Sequence, residues 1–495
     1  MTELLDCRQI RIDPAWALRI PPALALRRLV LPFAADEQSV FVACANAQDA
    51  AALEAVERFV GRPIQAEVAD EESLRLVVQR VFGSTATPSD GRTPVMRTDF
   101  RQGADLDPND AVALCDELLF AALVREASDI HIDPGAENVS VRLRVDGELE
   151  PYRTMPASVL GGLISRFKVI AGMDIAEKRA PQDGAFTHRF GAAGGKIDVR
   201  VATLPTKYGE RMTLRLLAAQ TESLTVERLG MSPPEQEVFE RAVASPHGLV
   251  LLTGPTGSGK TTTLYAALRR LITAQVGNII TIEDPIEYSI PGVAQVEVDS
   301  ADKVSFGRAL RSVLRHDPDV VMIGEIRDLE TADVAIKASL TGHLVFSTLH
   351  TNSAVGVVTR LADMGVQRYL IAATLRLAVS QRLVRRLCPR CRQPRALTTA
   401  EAASLRRLDD AGRQVFDPAG CKFCANRGLS GRLGLFEMLP CDEELARLIA
   451  DGASEPELML VARRHGCGTL LDDAAAKAYA GQTTIREVLS AVTGW

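Results

Sequence analysis

The sequence predicts an α/β fold of several domains, in which a doubly wound parallel sheet follows a small α+β domain with an antiparallel sheet. Three observations carry the prediction. The chain has 495 residues, too many for one continuous core when domains run to roughly 100 to 200 residues each. Between residues 248 and 351 four short apolar runs alternate with helical stretches, and each run ends in polar residues. A parallel sheet presents its chemistry along one edge in that way. Upstream, residues 139–145, 197–201 and 212–216 carry an apolar residue at every second position, the period of a half-buried strand.

In chain order, residues 1–82 mix Ala-rich helical stretches with short apolar runs and form an N-terminal domain. Residues 83–108 lack periodic hydrophobicity and carry Pro88, Gly91 and Pro94, so they read as a flexible linker. Residues 109–220 make the α+β domain, whose polar sheet face bears several arginines. Residues 221–386 make the parallel-sheet core, 387–433 a cysteine-bearing module, and 434–495 a helical segment. No fixed-period repeat is present, which disfavours solenoids and propellers.

Composition narrows the function. With 46% hydrophobic residues the chain buries enough surface to be globular, and its net charge of −6 gives no global attraction for phosphate backbones or anionic lipid. No apolar run approaches the roughly 18 residues of a membrane helix, and the first residues have neither a basic n-region nor an apolar h-region. A cytoplasmic location is expected. Nine cysteines are an odd count, and four of them form two Cys-x-x-Cys pairs, which suits a metal in a reducing compartment better than disulfides.

The apolar run 248–252 leads into Gly254-Pro255-Thr256-Gly257-Ser258-Gly259-Lys260-Thr261-Thr262 and then a helical stretch. Strand, G-x-x-x-x-G-K-[ST] and helix in that order make a phosphate-binding loop. The glycines allow backbone amides to turn inward as an anion nest. Lys260 pairs with the β and γ phosphates of ATP, and the Thr261 hydroxyl ligates Mg²⁺. Two further runs end in acids: 278–284, followed by Glu287, and 318–325, ending in Glu325. In a parallel sheet these ends share the loop's edge, so one acid can orient the attacking water while the other organises Mg²⁺, often through water. For a lone acid the alternative is a solvated strand terminus. The fourth run, 341–350, carries His343 and His350, either a γ-phosphate sensor or an ordinary satisfied histidine.

Cys388, Cys391, Cys421 and Cys424 supply four soft thiolates with 29 residues between the pairs. Such a set forms a closed tetrahedral Zn²⁺ site that contributes to folding and leaves no position open for catalysis. A redox pair is the alternative.

From about Asp110 to Phe436 these elements resemble the secretion ATPase superfamily that drives type II secretion and type IV pilus assembly. Residues 254–262 resemble its Walker A loop, 281–287 its Asp box, 308–328 its Walker B region and 341–351 its His box. The resemblance implies a RecA-like P-loop core preceded by a PAS-like domain. It implies that Glu287 activates water, that Glu325 organises Mg²⁺, and that Arg200 and Arg215 of the preceding domain reach the phosphates. Gly324 stands where many P-loop enzymes carry an aspartate, a trait of the family that leaves the direct metal contact to Thr261. Arg311 and Arg315 are four residues apart and on a helix would share one face toward the nucleotide. A solvated basic face is the alternative for each of these four arginines. The cysteine spacing resembles the metal module of the secretion and pilus assembly branches, which retraction ATPases generally lack.

The resemblance further implies a hexamer, and residues 1–82 docking on an inner-membrane secretion platform. Residues 360–413 hold twelve arginines and four acids, either a contact surface for acidic phospholipid or a solvated helical face. The type II secretion branch is the principal expectation, with type IV pilus assembly as the alternative. A nucleic-acid translocase is remoter, because net acidity and few aromatic residues disfavour strand binding. No nucleic-acid partner is expected.

Overall fold

The computed structural model describes residues 4–82, 95–98, 110–190, 196–217, 225–298 and 305–493. The chain forms two compact units. One comprises residues 1–220 with 388–392 and 418–431, and the other comprises 221–387, 393–417 and 432–495.

In the first unit, β1 (Val30–Ala35) pairs antiparallel with β2 (Val40–Cys44), which pairs parallel with β3 (Ile64–Val68). Asp36 closes the β1–β2 turn by accepting from the amides of Gln38 at 2.9 Å and Ser39 at 2.7 Å, the local hydrogen bonding that draws aspartate to turns. The second sheet contains β4 (Val95–Thr98), β5 (Ala127–Pro134), β6 (Asn138–Val145), β7 (Glu148–Pro156), β8 (Gln182–Phe190), β9 (Lys196–Thr206) and β10 (Gly209–Leu217), in the order β4-β8-β9-β10-β5-β6-β7. The three alternating segments of the sequence fall in β6, β9 and β10. All pairs are antiparallel except β4 with β8. Residues 95–98 lie in the stretch expected to be a linker; four residues are too short a window for alternation to show. Asp146 and Gly147, both at positive φ, form the β6–β7 turn, the Asp-Gly chemistry of a tight hairpin.

In the second unit, β11 (Gly248–Thr253), β12 (Ile279–Glu283), β13 (Ala294–Glu297), β14 (Val320–Ile323), β15 (Leu344–Leu349) and β16 (Leu375–Leu387) precede a two-stranded ribbon of β17 (Arg392–Ala396) and β18 (Gln414–Pro418), and then β19 (Leu429–Pro440). The main sheet runs β13-β12-β14-β15-β11-β16-β19. β11 is parallel to both β15 and β16, and β14 to both β12 and β15. Alternate residues feed two cores. Leu249, Leu251, Val321 and Ile323 pack on one face, while Val250, Leu252, Met322 and Phe346 join Tyr265 and Phe239 on the other. Burial on both faces explains why these strands read as continuous apolar runs.

β16 corrects one reading. Its arginines, Arg376, Arg382, Arg385 and Arg386, sit on a strand beside β11, so they do not form a helical face. The run Leu375–Val379 is buried between neighbours, and that burial overrides the local helical preference of Leu, Ala and Arg. Residues 434–440, expected to open the helical segment 434–495, lie instead on β19, whose run 433–439 is buried, and helices Glu443–Ala450, Glu455–Arg464, Leu470–Tyr479 and Ile485–Thr493 follow. Among the described residues no helix is long and apolar enough to cross a membrane.

Candidate nucleotide site and metal centre

The loop between β11 and the helix Lys260–Thr273 has its three glycines at φ +141° (Gly254), +77° (Gly257) and +87° (Gly259). A Cβ on Gly254 would stand 2.4 Å from the carbonyl oxygen of Gln381 on β16, so that glycine is required by space as well as by backbone. Gln381 also accepts from the Thr263 hydroxyl at 2.8 Å, fixing the first helical turn to β16. Lys260 Nζ donates to the carbonyls of Gly254 at 2.8 Å and Pro255 at 3.0 Å, which keeps the ammonium on the loop. Burial lowers its pKa, with Arg382 adding to the effect and Glu325 opposing it. Pro255, Thr256 and Gly257 are exposed, Thr261 and Thr262 are half-buried, and Ser258 is buried with its hydroxyl unpartnered. An exposed, inward-turned backbone at a helix N-terminus with a cation beside it fits a polyphosphate.

Hydroxyl side chains tie the strand ends to one another. Thr253 Oγ lies 2.8 Å from Thr351 Oγ and accepts from the Thr351 amide at 2.6 Å, joining the ends of β11 and β15. Thr348 donates to Gly324 O at 2.7 Å, and the Ile326 amide donates to Thr348 O at 3.0 Å, which sets the turn carrying Glu325 beside β15. His350 Nε2 therefore stands 3.5 Å from Glu325 Oε2, and Arg327 pairs with the same carboxylate. His343 lies at the opposite end of the strand, where its Nδ1 sits 3.0 Å from Ala338 O.

Glu287 sits on the loop after β12, and a buried network holds that loop. Tyr265, on the phosphate-loop helix, donates to Glu283. Glu283 also accepts from Thr281 at 2.6 Å and Gln295 at 3.0 Å. Gln295 in turn donates to Tyr288 O at 2.9 Å and accepts from the Ile290 amide at 2.7 Å. Burial, then the Glu283 charge, pushes the Tyr265 hydroxyl above its ordinary pKa, so it stays a donor. Tyr265, Gln295, Gln381 and Arg382 are not legible as site residues in the sequence, and Glu283, expected among the acids converging at the sheet edge, is instead buried beneath Tyr265. The available signal was polarity inside apolar runs, as in Ser380-Gln381 after Val379.

Arg200 and Arg215 face each other in register across β9 and β10. Like charges opposite one another repel. Asp129, almost fully buried, offsets this by accepting from Arg215 Nε at 2.9 Å. The helix expected to carry both Arg311 and Arg315 ends at Val313. Arg311 pairs with Glu330, and Arg315 turns back to donate to Arg311 O at 3.0 Å, so the two do not share a helical face. Leu314 caps that helix, and the chain turns through Asp317 at positive φ before β14.

The four expected cysteines converge, with all Sγ atoms within 4.8 Å of one another. Cys388–Cys421 and Cys391–Cys424 are 3.8 Å apart, and Cys421–Cys424 3.7 Å. A tetrahedron with Zn–S of about 2.3 Å has edges of about 3.8 Å. The amides of Gly428 at 3.1 Å and Cys421 at 3.2 Å donate to Cys424 Sγ. Although burial opposes ionisation, these donors bring the Cys424 pKa below its ordinary value, whereas burial pushes the thiols of Cys388 and Cys391 up.

The family described as type II/IV secretion system protein matches residues 105–490. The chain belongs to that family. Its N-terminal residues 1–88 match the MshEN domain. The chain is 42% identical to the type II secretion system protein E of Pseudomonas aeruginosa, over 95% of each chain. It is 41% identical to the type IV pilus assembly ATPase PilB of Thermus thermophilus, over 91% of this chain and 48% of that one. Among solved structures, the pilus retraction motor PilT with bound ADP is 28% identical with a TM-score of 0.52, covering 75% of this chain and 95% of PilT. This secretion-family protein is an ATPase with a P-loop α/β fold, and it uses nucleotide and Mg²⁺.

Proposed function

We propose that this chain is the cytoplasmic, hexameric motor of a type II secretion system, hydrolysing ATP to drive pseudopilus assembly and protein export. The supporting observation is the single sheet edge that carries the phosphate loop, Glu325 and His350, in a chain similar along 95% of its length to a type II secretion system protein E. The loop amides and Lys260 bind the β and γ phosphates, and Lys260 leaves its loop carbonyls for them. Thr261, and Glu325 through water, would hold Mg²⁺, which would supply charge neutralisation at the phosphate oxygens. Glu287 accepts the proton of the attacking water, a role that requires the clamp around Tyr265 to hold its loop still. His350 restrains Glu325 and senses the γ phosphate.

Arg200 and Arg215 stabilise charge on the transferring phosphoryl group, for which a planar, permanently charged fork is suited. Arg311 and Arg315 are assigned no contact with nucleotide. Cys388, Cys391, Cys421 and Cys424 would hold Zn²⁺ as a structural ion. Residues 1–82 dock on the inner-membrane platform, and the Arg-rich segment 360–413 adds contact with acidic phospholipid.

Lys260→Ala should abolish nucleotide binding, whereas Glu287→Gln should keep ATP binding and lose turnover. Normal turnover by Glu287→Gln would refute the water-activating role. The PilB similarity favours type IV pilus assembly as a second reading. Restoration of export but not of piliation in strains lacking each motor separates the two.

A further inference from the structure

The cysteine pairs are joined to the N-terminal domain through the two residues that separate the second pair, Lys422 and Phe423. The Phe423 ring stacks on Phe33 of β1 with centroids 5.7 Å apart and an interplanar angle of 17°. Its carbonyl accepts from the Arg11 amide at 2.8 Å. Lys422 Nζ donates to Glu67 of β3 at 2.7 Å and lies 3.8 Å from the centre of the Phe41 ring on β2. All three strands of the small sheet therefore touch this one dipeptide.

The same knuckle also binds the β6–β7 hairpin. Gly431 N donates to Asp146 at 3.0 Å, and Arg427 pairs with Glu150. Arg11 completes the junction with ion pairs to Asp146 at 2.6 Å and Glu150 at 3.2 Å.

The shape of the dipeptide depends on the sulfur site. Ala425 and Asn426 both lie at positive φ, 51° and 61°, which costs energy for residues other than glycine. The Asn426 amide bonds Cys421 O at 2.9 Å, and Cys424 Sγ accepts two further amides. With Cys421 and Cys424 fixed on a metal, Lys422 and Phe423 are presented in the one arrangement that meets Phe33, Phe41 and Glu67. We propose that the metal-loaded second knuckle is an internal docking surface for residues 4–82, so that metal occupancy sets whether the N-terminal domain is held. This rests on the zinc reading above. It adds that the ion acts on a domain far away in sequence, through a stacked ring and an ion pair.

Hydrogen exchange of the full-length protein tests it, read on peptides covering residues 4–20, 30–44 and 64–68, with zinc content measured on every sample. Phe423→Ala and Lys422→Glu, each retaining zinc, should speed exchange in those peptides by about tenfold, the factor for losing roughly 1.4 kcal/mol of docking. Adding Glu67→Lys to Lys422→Glu should restore protection, an outcome a misfolded knuckle would not give. Removing zinc by chelation should match the variants. Unchanged exchange in zinc-replete Phe423→Ala and Lys422→Glu would overturn the docking surface. Protein stripped of zinc yet fully protected at these peptides would overturn the metal's part in docking, whereas freshly purified protein that holds no zinc would overturn the zinc reading itself.

Discussion

Replacing Tyr265 with phenylalanine removes one oxygen and leaves the packed ring in place. That oxygen links the phosphate-loop helix to Glu283, which accepts in turn from Gln295, the side chain that also holds Tyr288 O beside Glu287. A hydrogen bond to a buried carboxylate contributes about 1.5–3 kcal/mol. If that energy holds the Glu287 loop in its productive arrangement, the population of that arrangement falls roughly ten- to a hundredfold. Because the phosphate loop keeps Gly254, Gln381 and Lys260, nucleotide affinity should stay within about threefold of the wild type while kcat drops by the larger factor. Steady-state ATPase at saturating ATP, together with titration of a fluorescent nucleotide, reads the two separately. A kcat within about twofold of the wild type, in a background where Glu287→Gln is inactive, would show that the clamp does not position Glu287.

Glu325→Gln should lower turnover by about 10²–10⁴-fold with ATP still bound, measured by single-turnover hydrolysis and filter binding. Gly254→Ala should weaken ATP binding by at least about tenfold, since its Cβ would meet Gln381 O at 2.4 Å on a backbone at φ +141°; isothermal titration checks it. His188, buried in the first unit, is held by burial and by the Arg166 charge at a pKa of about 4. Its folded pKa lies below the unfolded value, so its contribution is complete above pH 6.5 and is lost as pH falls toward 4. The loss is about 2 kcal/mol at pH 5, and unfolding of His188→Gln in denaturant should show a correspondingly smaller change between pH 7 and 5.

The parallel sheet is legible in the sequence because its strands are buried on both faces, and a short apolar run ending in acids is the pattern such a strand leaves. The phosphate loop is equally plain, since Gly254 and Gly259 answer a steric demand that Gln381 makes visible. The arginine-rich strand β16 is easily misread because its charges mask burial that only β11 and β19 supply. The clamp around Glu287 is hidden for a related reason. Tyr265 looks like a helical core residue, and only the fold brings it to Glu283 and Gln295. The link between the cysteines and the N-terminal domain spans 355 positions from Glu67 to Lys422, and no local pattern encodes such a contact.

The most direct test is a structure of the assembled protein with Mg²⁺ and a non-hydrolysable ATP analogue. Lys260 should have moved from the Gly254 and Pro255 carbonyls onto the phosphates, with the carboxylates of Glu287 and Glu325 each within one water molecule of the terminal phosphoryl group. Finding Lys260 unmoved, or both carboxylates turned away from that group, would contradict the hydrolytic site described for this chain.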